Sequence, residues 1–105
     1  MENKPIRKVD ENGIKYWLLN DEIHNDDGHA AEWPDGTKIW FINGNRHRLD
    51  GPAMLWPDGG KSWYINECNV TKKITKWAID NNIDLDNLTD DDKVLIKLVW
   101  ADYGK

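Results

Sequence analysis

A 23-residue echo runs through the first two thirds of the chain. Gly13, Gly36 and Gly59 fall in register, as do Lys15, Lys38 and Lys61, then Trp17, Trp40 and Trp63, then Asn20, Asn43 and Asn66. Between tryptophan and asparagine stand Leu18-Leu19, Phe41-Ile42 and Tyr64-Ile65. In the first two units His24 matches His47, Asp27-Gly28 matches Asp50-Gly51, and Trp33-Pro34-Asp35-Gly36 matches Trp56-Pro57-Asp58-Gly59. Self-similarity at such a period means one supersecondary unit stacked on copies of itself. The pattern fades after Asn66, so about 2.5 units are expected.

Each unit spells a β-hairpin. In Pro-Asp-Gly the proline presets φ, the aspartate caps its own backbone and the glycine supplies a positive φ. The turn is flanked by short aromatic and β-branched runs, 29–33 with 37–42 and 52–56 with 60–65. Asn43-Gly44 is a second turn signal, followed by a polar loop that returns the chain to the next strand. As one strand, 37–42 would put Trp40 and Ile42 on one face and Ile39 and Phe41 on the other. Both faces are then apolar, and the rest of the chain is expected to cover one of them.

From residue 71 the period changes. Ile74, Trp77 and Ala78 stand at i, i+3 and i+4, the mark of an amphipathic helix. A second helix opens at Thr89, with Asp92 in capping-box position and an Asp run at the positive end of the dipole. Val94, Leu95, Ile96, Leu98, Val99 and Trp100 make it apolar around most of its girth. It is therefore expected to be buried on several sides, against the sheet and first helix or across a homodimer interface. The expected fold class is α+β: an antiparallel meander of hairpins followed by two helices. The boundaries are an N-terminal arm over 1–9, the repeat sheet over 10–70 and a helical pair over 71–105 packed on it, all within one domain.

Composition narrows the function classes. A chain of 105 residues is long enough for one modest core. Its seven Trp either build that core or serve as binding surfaces. A net charge of −5 disfavours a general grip on nucleic acid, which needs a basic surface. Six Asp and no Lys or Arg fall within 80–92. The single cysteine, Cys68, excludes an internal disulfide and fits a reducing cytoplasm. No apolar run reaches the length of a membrane span.

The stretch from Asn43 to Asn66 reads N-G-x-x-H-R-x-D-G-P-A-x-x-x-x-D-G-x-x-x-W-Y-x-N. It resembles the short hairpin repeats of MORN-like proteins, found among small accessory proteins of large tailed phages and giant viruses. The resemblance covers about 60 residues, Asp10 to Val70. It implies stacked hairpins in a phage-type accessory protein. The better-known MORN pattern has more glycines and a Y-x-G-x-W core, so that family's lipid and scaffold roles do not transfer. No catalytic residue comes with the likeness.

Repetition itself filters candidate sites. A general base needs no duplicate, so His24 and His47, with Asp27 and Asp50 nearby, read as a loop hydrogen bond that sets the return to the next strand. Metal-ligand spacings are missing: there is no C-x-x-C, H-x-x-x-H or H-E-x-x-H. The run from Asp80 to Asp91 has Leu85 where a calcium loop needs its glycine, and no closing Glu. Cys68 and Ser62 lack the sequence context of an activated nucleophile. The chain is therefore expected to be no enzyme and to carry no cofactor or metal.

What remains is where the copies differ. Arg46 and Arg48 flank His47, whereas their counterparts in the first unit are Ile23 and Asn25. Arg beside aromatic rings is a hot-spot composition at interfaces. The leading expectation is a cytoplasmic accessory protein that binds and inhibits a host protein, with Asp90 and Asp91 of the acidic segment facing a basic partner. A second is a nucleotide sponge, with Arg46, Arg48 and Lys38 on phosphates, His47 beside them and Trp40 or Trp63 under a base. A structural or assembly role is third.

Overall fold

Hairpins do recur at the 23-residue spacing, and they extend further at both ends than the letters show. In the structure, a computed structural model, residues 4–105 are described. The first unit holds β1 (Ile6–Val9), β2 (Lys15–Leu19) and β3 (Glu22–Ile23). The second holds β4 (Ala31–Glu32), β5 (Lys38–Ile39), β6 (Phe41–Ile42) and β7 (Asn45–Arg46). The third holds β8 (Met54–Leu55), β9 (Lys61–Ser62), β10 (Tyr64–Ile65) and β11 (Cys68–Asn69). Two helices follow, α1 (Thr71–Asp80) and α2 (Asp90–Trp100). The fold class is thus the α+β meander with two C-terminal helices.

Each unit opens with one hairpin and closes with another. In the opening hairpins Val9 faces Lys15, Glu32 faces Lys38 and Leu55 faces Lys61, equivalent positions one period apart. Gly13, Gly36 and Gly59 hold the turns at φ of 81°, 97° and 90°, and each donates its N–H to the carbonyl three residues back. Glycine adopts that φ without strain. The segment 10–13 is therefore a first copy of the Trp-Pro-Asp-Gly turn with different side chains. The closing hairpins β2–β3, β6–β7 and β10–β11 turn on two left-handed residues each: Asn20-Asp21, Asn43-Gly44 and Asn66-Glu67. Two consecutive positive φ values match the twist of the flanking strands.

The main sheet runs β1-β2-β4-β5-β8-β9. Three sequence expectations change against it. The arm expected over 1–9 supplies a paired strand from Ile6 to Val9, while residues 1–3 lie outside the described residues. The run 37–42 is broken at Trp40, because its N–H pairs with Ala53 of the next unit while its carbonyl accepts from His47 of its own closing loop. The third unit continues past Asn66: Val70 N–H reaches the Trp63 carbonyl as His24 reaches Trp17 and His47 reaches Trp40. Only the side chains depart from the pattern there, since the third unit meets helices in place of a fourth unit. Thr71 supplies the substitute contact, its hydroxyl accepting from Trp63 N–H at 2.9 Å where Ala30 and Ala53 carbonyls serve Trp17 and Trp40.

The main core forms at that junction. Trp63, Ile65 and Val70 pack with Ile74 of α1 and with Ile96 and Trp100 of α2. Trp77 and Trp100 meet edge to face, 5.9 Å between ring centroids. Between the units small residues suffice: Ala30, Ala31 and Ala53 are buried along the sheet with Ile39.

Helix α2 is buried on one side only. Ile96 and Trp100 face the core, while Val94, Leu95, Leu98 and Val99 are 56%, 38%, 78% and 52% exposed. The expectation of burial on several sides is corrected: the third unit and α1 offer this helix a single wall.

Candidate functional site

The basic loop singled out in the second unit is already engaged within the chain. Arg46 in β7 pairs with Glu67, whose other carboxylate oxygen accepts from the Arg46 backbone N–H at 2.8 Å. Its guanidinium carbon lies 4.3 Å from the Tyr64 ring centroid. Arg48 donates to Asp50 at 2.8 Å and to the Pro52 carbonyl at 3.0 Å, and it stacks on Trp40 at 3.9 Å from the ring centroid. Gly51 makes room for it, since a Cβ there would stand 2.6 Å from the guanidinium carbon. Burial pushes the Asp50 carboxyl up, but the hydrogen bond and charge of Arg48 hold it below its ordinary value.

The repeated histidines are joints between units. His24 Nδ1 accepts the backbone N–H of Asn43 at 2.9 Å, and His47 Nδ1 accepts that of Asn66 at 3.0 Å. Each therefore ties its loop to the closing turn of the next unit. The aspartates paired with them in sequence do not take part. Asp50 goes to Arg48, and His24 is met by Asp26, 3.0 Å from its Nε2. Position 49, one period after Asp26, is leucine. Between units His29 stands edge-on to Trp17 and to Trp40, 5.6 Å from each, and its Nε2 meets Glu32 at 2.9 Å.

The residues expected to cradle a nucleotide are not gathered in one place. Trp63 is 4% exposed, within the core, and offers no stacking face. Trp40 already carries Arg48 on its ring. Lys38 lies on β5, opposite Leu55 and Glu32. The cleft that Trp40, His47 and Arg48 do share, about 410 Å³, also holds Asp26, Asp27 and Asp50. Against Arg48 and Lys97, three carboxylates leave the cleft with excess negative charge, which does not favour phosphate.

The acidic segment has two halves with different roles. Asp84 caps its own turn, accepting from Asp86 N–H and the Asn87 amide, both at 3.0 Å, and these bonds, that of Asn87 first, lower its pKa. Asp86 pairs with Lys61 at 2.9 Å. At the start of α2, Asp92 forms the capping box with Thr89, at 3.0 Å in both directions. Asp90 and Asp91 are exposed and have no cation within 4.0 Å among the described residues. They border the outward apolar stripe of α2.

That stripe is the most concentrated run of exposed apolar side chains among the described residues. A lone exposed leucine is ordinary. Four large apolar side chains within six residues of one rigid, capped helix are contiguous, and contiguity marks interaction sites. The apolar girth of this helix was visible in the sequence; which side would stay open was not. Among the described residues no group of His, Cys, Asp and Glu is disposed to hold a metal ion, and no helix is long and apolar enough to cross a membrane. Comparison with known protein families, curated proteins and solved structures finds no match.

Proposed function

We propose that this chain is a protein-binding module without catalytic activity, and that the outer face of α2 is its contact surface. One observation carries the reading: Val94, Leu95, Leu98 and Val99 are exposed together on a helix whose opposite side is anchored by Ile96 and Trp100. Burying each such side chain against a partner is worth roughly 1.5–3 kcal/mol at full burial. The hairpin units and capping box hold the helix in place beforehand, which reduces the ordering cost of association. The resemblance to phage accessory proteins adds the finer reading, in which the partner is a host protein and the contact inhibits it. The self-paired arginines and the carboxylates around Trp40 weigh against the nucleotide-sponge reading.

The test is capture from host lysate by the immobilised chain and by a variant with Val94→Gln and Leu98→Gln. Glutamine keeps helix propensity and removes only the apolar surface. A discrete protein is expected on the native chain and absent from the variant, with both chains melting alike by circular dichroism. Purified, that protein should lose its activity on addition of the native chain. A lysate profile that is the same for both chains would overturn the reading.

A further inference from the structure

The stripe on α2 is bounded at both ends by carboxylates, and we infer that its occupant is an amphipathic helix with an apolar centre and basic residues at both ends. The inference rests on α2 being the contact surface. Asp91, Leu95, Leu98 and Asp102 follow one another at i, i+4, i+7 and i+11, so they share one face, with Val94 and Val99 beside them. Asp102 lies in the turn that prolongs the helix beyond Trp100. At 1.5 Å per residue the two positions are roughly 16 Å apart along the axis.

No lysine of α2 pairs with either end, although the positive pole of the helix dipole offsets part of the charge of Asp91. Asp91 is exposed, and Asp102, its side chain 93% exposed, meets only Lys105 among the described residues, at 3.7 Å. The lysines of α2 lie off the stripe: Lys97 borders the cleft with Trp40 and Lys93 the cleft with Arg48 and Leu88. At the C-terminal end Asp102 adds to the negative pole of the helix dipole, so the field there is the stronger of the two.

This charge pattern decides between occupants. A second copy laid antiparallel would set Asp91 against Asp102 of its mate at both ends. Laid parallel, it would set Asp91 on Asp91 and Asp102 on Asp102. Either way like charges meet at the rim of an apolar contact, which penalises the wrong partner. A helix whose apolar side is flanked by lysine or arginine meets opposite charges at both ends and packs ridge into groove on α2.

Two labelled synthetic helices of about four turns test this. Both carry the same leucine stripe; one has lysines at both ends and the other glutamates. Titrated with the full chain and read by fluorescence anisotropy, the lysine-ended helix should bind about ten-fold tighter or better, with the advantage shrinking at high salt. Asp91→Lys with Asp102→Lys should reverse the preference. Equal affinity for the two helices overturns the inference; if Val94→Gln with Leu98→Gln still abolishes that binding, α2 remains the contact surface. Equal affinity unchanged in that variant overturns both readings. A concentration-dependent dimer in light scattering, lost in the same variant, would name a second copy as the occupant and discard the basic helix.

Discussion

At the scale of single residues, His47 couples the joint between units to pH. Because the Asn66 N–H donates to Nδ1, the neutral ring carries its proton on Nε2. Protonating Nδ1 would set one N–H against another. Burial, followed by the nearby Lys105, lowers the His47 pKa below its ordinary value. The unfolded chain therefore takes up this proton first as pH falls. The stabilising contribution is present above about pH 6.5, the unfolded value, and is lost as pH drops through the lower folded value. The unfolding free energy from urea denaturation should fall between pH 7 and 5, by no more than about 1.4 kcal/mol per pH unit for one proton. His47→Gln should flatten that slope, and an unchanged slope would assign it to another group. Asp35, Asp50 and Asp84, whose pKa values are also lowered, contribute their loss only below about pH 4.

The repeat register also explains why the arginine loop is not a free surface. Ile23 and Gly44 of the first contact between closing hairpins become Arg46 and Glu67 in the second, on the same backbone bond from the turn N–H to the β3 or β7 carbonyl. Both partners changed together at equivalent positions.

At the scale of elements, local chemistry set the beginning of α2. The Thr89–Asp92 capping box was legible from four letters, since both bonds lie within one turn. Thr89→Ala should cost about 1 kcal/mol in urea denaturation, within the usual range of about 0.5–2 for such caps; no measurable loss would mean that packing alone holds the start of α2. Helix α1 begins differently. Val70, at its N-terminus, makes no side-chain cap and stands where the first two units have histidine. Its start is inherited from the repeat register, through Val70 N–H on the Trp63 carbonyl. The arm over 6–9 was missed as a strand because its turn, Asp10-Glu11-Asn12-Gly13, keeps the glycine but lacks the Trp-Pro-Asp letters.

At the scale of the whole molecule, stability and the proposed recognition divide between the two sides of α2. Ile74 and Ile96 are fully buried where the third unit meets both helices. Ile74→Ala should cost about 2–5 kcal/mol, whereas Leu98→Gln, on the open side, should stay within about 0.5 kcal/mol. Denaturation curves that gave the two changes equal cost would contradict this division. The sequence by itself determined the stacked hairpins, the two helices and the cap of α2, because turn chemistry, periodicity and capping act between residues close along the chain. Only the tertiary structure decided that Arg46 and Arg48 are spent on Glu67 and Asp50, that Trp63 is core, and that one apolar side of α2 stays open. Those outcomes depend on which distant segments pack together and how much wall they offer, and a helix apolar around most of its girth carries no local mark of the side that will be left uncovered.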